Sequence, residues 1–151
     1  MLGSIRAMSK NSSATFGDQR LWAAVRHLKI DSSRGAIDSY MQALVNLELA
    51  IPHRTIGENI EFKFIRYPGL EGECLPVFSD DASWQAFRQT YRPLLQGYEE
   101  VRRMSAVSVY RFVAEELKEV GTVLIDPARP DFLRVPRSTI LVLAKAQWKP
   151  N

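Results

Sequence analysis

The hydrophobic period of this chain changes at Asn46, and that change limits the folds open to it. Before it, Ile37, Tyr40, Met41 and Leu44 recur at helical spacing; after it, Leu47, Leu49 and Ile51 alternate with Glu48 and Ala50. A period of 3.6 places one apolar stripe on a helix, and a period of two places one apolar face on a strand. The chain must therefore pack helices against a half-buried sheet. Upstream, Asp18 is positioned to cap a helix over 19–30 whose stripe is Leu21, Trp22, Val25 and Leu28. Asp31-Ser32-Ser33 ends it and caps the next helix. Residues 1–17 are polar and without period, and read as a flexible arm.

Downstream, the strand beginning at Leu47 is expected to stop at Pro52, with His53–Asn59 as a loop. Ile60, Phe62 and Phe64 alternate as a second strand, and Leu75 to Phe78 form a third after Gly72. Ser79-Asp80-Asp81 caps a helix carrying Trp84, Phe87 and Tyr91, which Pro93 limits. Residues 94–105 read as helix and loop, Ala106–Tyr110 as a strand, and Phe112, Leu117 and Val120 as a helix closed by Gly121. Thr122–Ile125 is an apolar strand cut off by Asp126-Pro127, and a last helix spans about 137–147. Consecutive strands followed by alternating strands and helices predict one α+β domain over 18–151, with a mixed β-sheet and an N-terminal antiparallel meander flanked by helices.

At 151 residues the chain has the length of one ordinary domain, able to bury roughly 68–70% of its unfolded surface. Twenty Lys and Arg oppose seventeen Asp and Glu. The basic residues are scattered, with no adjacent run longer than Arg102-Arg103, so a nucleic-acid partner is not expected. No apolar run approaches the ~18 residues of a membrane span, and Met1–Lys10 lacks the apolar core of a secretory signal. A lone Cys74 excludes an intramolecular disulfide and suits a reducing cytoplasm.

Two segments carry a family resemblance: Leu75-Pro76-Val77-Phe78-Ser79 with Ala82-Ser83-Trp84 and Phe87, and Gly121-Thr122-Val123-Leu124-Ile125-Asp126-Pro127. Their order resembles the N-terminal domain of the SseB (enhanced serine sensitivity) family. Asp126-Pro127 stands where that family usually shows Asn-Pro. The resemblance implies an α+β module of bacteria without established catalytic residues.

Several residues invite chemistry. Glu61-Phe62-Lys63, with Glu48 on the preceding strand, matches the acid and Glu-x-Lys pattern of metal-dependent nucleases, where carboxylates hold Mg²⁺ and the Lys stabilises phosphate charge. A hairpin register pairing Ile51 with Ile60 would instead set Glu48 opposite Lys63 as an exposed ion pair, worth roughly 0.2–1 kcal/mol. That reading is favoured. Cys74 would need His27 or His53 beside it to act as a nucleophile, while Glu71 and Glu73 oppose thiolate formation. No metal-ligand spacing, nucleophile elbow, P-loop or dinucleotide fingerprint occurs. No catalytic residue, cofactor or metal is therefore expected.

The aromatics are the remaining resource. Trp22 and Trp84 lie on apolar helix faces and belong to a core, whereas Tyr67, Tyr98 and Trp148 neighbour charged or terminal residues as interface aromatics do. Ser79, Asp80 and Asp126 mark strand ends, where a site is also expected. The leading expectation is a non-enzymatic interaction module of a bacterial cytoplasm, accessory or immunity-like, that binds another protein. The alternatives are a small-ligand sensor with a pocket near Ser79 and Asp126, and a nuclease using Glu48, Glu61 and Lys63.

Overall fold

A computed structural model describes residues 16, 17 and 19–146. Most of the N-terminal arm, the Asp18 cap and Trp148 lie outside them. The period change at Asn46 is real: helices α1 (Arg20–Ile30) and α2 (Arg34–Val45) are followed by strand β1 (Glu48–Ile56). The α1–α2 turn is built locally. Asp31 Oδ1 accepts from the Ser33 N–H at 2.9 Å, and Ser33 Oγ accepts from the Ala36 N–H at 3.3 Å. The α2 stripe is rotated from the expected one: Ala36, Leu44 and Val45 are buried, while Ile37, in the first turn, is exposed.

β1 does not stop at Pro52. It runs to Ile56 and turns through Gly57 (φ 61°) into β2 (Asn59–Phe62), a two-residue turn with glycine at its first position. The register is His53 with Phe62 and Arg54 with Glu61, not Ile51 with Ile60. Glu48 consequently meets Arg103 at 2.7 Å and not Lys63. Proline explains the difference. The Pro52 carbonyl accepts from the Lys63 N–H at 3.3 Å, but Pro52 has no N–H to return, so the β2 ladder ends there. On the other side of β1, β4 (Glu100–Ser105) pairs antiparallel, Leu49 with Met104 and Ile51 with Arg102.

The second sheet holds β3 (Glu73–Val77), β5 (Val120–Ile125) and β6 (Leu133–Pro136) in the order β3-β5-β6. β3 and β5 are parallel, and β5 and β6 antiparallel. Two bridges join the sheets. Ala50 exchanges both backbone bonds with Phe78, at 2.8 and 2.9 Å, and Ile65 exchanges both with Cys74, at 2.9 and 2.8 Å. The edge of β1 that Pro52 denies to β2 is thus taken by the residue that follows β3.

The segment expected as helix and loop contains β4, and the expected strand Ala106–Tyr110 lies in helix α4 (Ala106–Glu116), capped by Ser105. Val107 and Val109 favour a strand locally. Burial of Ala106, Val109, Tyr110 and Val113 along one helical stripe overrides that preference. Val120 and Gly121 open β5 instead of closing a helix. A side chain at Gly121 would place its Cβ 2.9 Å from the Glu71 carbonyl, so the glycine serves close backbone approach.

One core fills the space between the sheets and α1, α2, α4 and α5 (Arg137–Leu143), around Trp22, Leu49, Val77, Tyr110, Val123 and Ile140. A smaller cluster of Ala50, Phe78, Trp84, Phe87 and Leu95 lies under α3 (Asp81–Thr90). The chain is a single α+β domain.

Candidate functional site

The parallel pairing of β3 and β5 brings two polar residues, 47 positions apart, to the same carboxyl end. Ser79 follows β3 and Asp126 follows β5. Asp126 Oδ1 accepts from the Ser79 N–H at 2.8 Å and Oδ2 accepts from the Ser79 hydroxyl at 2.5 Å. Trp22 Nε1, from α1, donates to Ser79 Oγ at 3.3 Å. All three side chains are buried. Asp126 has φ 55°, the one positive value at a non-glycine among the described residues. Asp tolerates this conformation better than most side chains. Its carbonyl accepts from the Arg129 N–H at 2.9 Å, which closes a turn through Pro127.

Burial pushes the Asp126 carboxyl up to about 6, and the Asp80 charge adds to this, while the two Ser79 hydrogen bonds and Arg129 hold it down. Arg129 lies with its guanidinium carbon 3.8 Å from the centre of the Trp22 ring. Its fork binds both oxygens of Asp131, at 2.8 and 3.1 Å, and holds that carboxyl below its ordinary range. Asp80 caps α3 by accepting from the Ser83 N–H at 2.7 Å. Ser79, Asp80 and Asp126 are therefore neighbours, and each is committed to a partner inside the fold.

The same connection carries an exposed feature. Along β3 and β5, Leu75, Val77, Val123 and Ile125 face the main core, so Pro76 and Leu124 face the opposite side. Leu124 pairs with Arg134 on β6, which places Arg134 over that face. Its guanidinium carbon lies 5.0 Å from the Phe132 ring centre and 5.7 Å from that of Tyr67, and the two rings are 5.2 Å apart. Tyr67 and Phe132 are half-buried and Arg134 is exposed.

The other expected residues fall elsewhere. Tyr98 sits against Arg54 and Lys63, whose cationic groups are 4.7 and 5.2 Å from its ring centre. Trp148 lies outside the described residues. Glu61 is bound by Arg54 at 2.8 Å and Glu48 by Arg103. Along β1, Glu48 is six residues from Arg54, the partner of Glu61, a separation of about 20 Å. The two carboxylates cannot share a metal ion, and no group of three His, Cys, Asp or Glu among the described residues could hold one. Cys74 is fully buried, and burial first, then Glu73, raises its thiol, against a lowering hydrogen bond from the Tyr67 backbone. His27 faces Asp31 at 3.2 Å and His53 faces Glu100 at 3.8 Å.

Arg129, Phe132 and Arg134 were not legible as site residues. The turn-rich run Asp126-Pro127-Ala128-Arg129-Pro130-Asp131 signals an irregular connection without saying what it covers. Two surface depressions, between α1 and α2 and beyond the end of α3, include neither Ser79 nor Asp126. No helix among the described residues is long and apolar enough to cross a membrane. No protein-family model, curated protein or solved structure matches this chain significantly.

Proposed function

We propose that this chain is a non-enzymatic protein-interaction module of a bacterial cytoplasm, and that it contacts its partner through Tyr67, Phe132 and Arg134. The observation that carries the reading is the stacking of Arg134 over two half-buried rings. Arginine and aromatic side chains supply most of the energy at many protein interfaces. Here they are already held against one another, so little rotamer freedom remains to be lost on binding. The buried polar cluster at the ends of β3 and β5 supports the same reading. Ser79, Trp22 and Asp126 satisfy one another and fix the ends of β3 and β5, and β5 pairs with the strand that carries Arg134.

The test is capture of cytoplasmic proteins by the immobilised chain, identified by mass spectrometry and compared across variants. One stoichiometric partner is expected with the parent chain and with Tyr98→Ala. It should be lost from the double variant Tyr67→Ala/Arg134→Ala, whose thermal unfolding must first be shown to remain cooperative. A partner that both variants retain, or no reproducible partner at all, would overturn the proposal.

A further inference from the structure

The stretch that closes α3 builds a polar depression on residues that the proposed interface does not use. The Tyr91 N–H bonds the Phe87 carbonyl at 2.9 Å and ends the helix, and Arg92–Leu95 make a single 3₁₀ turn anchored by the fully buried Leu95. Gly97, at φ 88°, reverses the chain, a conformation glycine adopts without strain. The Tyr98 N–H bonds the Leu95 carbonyl at 2.7 Å, and Glu99 returns beside Arg88. Arg88, Arg92, Pro93, Gln96 and Glu99 line a depression of about 430 Å³.

Its charge is unbalanced: two arginines and one glutamate line it. Arg88 Nε is buried and has no hydrogen-bond acceptor. Arg88 Nη2 reaches Glu99 Oε1 only at 3.4 Å, well beyond the ~2.7–2.9 Å of a charge-assisted bond. Among the described residues, Arg92 has no ion-pair partner. Arg88 Nε is out of contact with solvent, but the side chain as a whole is 38% exposed, so an oxyanion entering the depression would meet Arg88 through its terminal nitrogens, which Glu99 holds only loosely.

We infer that this depression binds a phosphate monoester of a small organic group. Two guanidinium forks and the Gln96 amide offer more donors than the two oxygens of a carboxylate accept, whereas a phosphate presents three terminal oxygens. The volume is larger than a bare oxyanion fills and lies within the range of small-ligand sites. Pro93 supplies an apolar wall for the organic part. Glu99, with its side chain 47% exposed, turns out to water as the ligand takes its place on Arg88.

The test is titration of the full chain with phenyl phosphate, inorganic phosphate, benzoate and sodium chloride at constant ionic strength, followed by NMR of the arginine Nε–H and glutamine side-chain signals. Saturable shifts at Arg88 and Gln96 are expected, with phenyl phosphate binding tighter than inorganic phosphate or benzoate. Arg92→Ala, on an exposed residue, should weaken phenyl phosphate roughly tenfold, as expected for loss of a charge-assisted donor pair. Arg88→Lys, which keeps the charge but removes the planar fork, should weaken it similarly, and Glu99→Gln should tighten it. Shifts that do not saturate, that match chloride, or that Arg92→Ala leaves unchanged would overturn the inference. So would benzoate binding as tightly as phenyl phosphate.

Discussion

Two regions of this molecule combine an arginine, a carboxylate and an aromatic ring to opposite effect. At the carboxyl ends of β3 and β5, an Asp, a Ser and a Trp are buried and interlocked, with an Arg stacked above them. On the sheet formed by β1, β2 and β4, Arg54, Glu61, Lys63 and Tyr98 make the same kinds of contact at the surface, and the Arg54 and Glu61 side chains are 42% and 48% exposed. Burial decides what each contact is worth. In the first region no water competes for the hydrogen bonds, so removing one partner strands another. In the second, solvent and salt screen the charges, and little stability depends on them.

The sharpest way to break this comparison is Trp22→Ala. It empties a fully buried site and removes the N–H from which Ser79 Oγ accepts, and should destabilise the fold by about 3–5 kcal/mol, read from urea unfolding. A loss below about 1 kcal/mol would place Trp22 among the screened contacts.

The next test uses pH. The Asp126 carboxyl lies at about 6 in the folded chain, against an ordinary value of 3.8. The native state therefore binds this proton more tightly than the unfolded one. The stabilisation is fully present below pH 3.8 and is lost as pH rises through 6. From Asp126 alone, unfolding free energy should fall by on the order of 2–3 kcal/mol between about pH 4 and 7. Asp31 and Asp131 are shifted downward and act in the opposite sense, but below this window. Asp126→Asn should flatten the slope. If the variant keeps the parent's slope, another group sets it.

The smallest expected effect belongs to the exposed pair. A double-mutant cycle on Arg54→Ala and Glu61→Ala should give a coupling of about 0.2–1 kcal/mol that shrinks in high salt. A coupling as large as the Trp22 effect would erase the distinction between the regions.

What could be read from the chain follows the same division between local and non-local causes. α1, α2 and α3 announce themselves through apolar stripes and caps: Ser33 and Asp80 sit where a side-chain oxygen meets the first free N–H groups. β5 announces itself as an apolar run cut off by Asp126-Pro127. β4 does not, because an edge strand with mostly half-exposed residues has little alternation to show. The beginning of α4 reads as a strand because Val107 and Val109 favour one until the core claims one helical face.

The sequence by itself determined the class of the fold, the positions of most helices and the ends of β3 and β5, because periodicity, caps and prolines act within a few residues. It marked Ser79, Asp80 and Asp126 as strand-end residues for the same reason. Only the tertiary structure decided that Ser79 and Asp126 bond each other, that Pro52 hands the edge of β1 to Phe78, and that Arg134 lies over Tyr67 and Phe132. Those contacts span gaps that no local pattern encodes. They exist because strand register and the exclusion of water bring distant residues into one place.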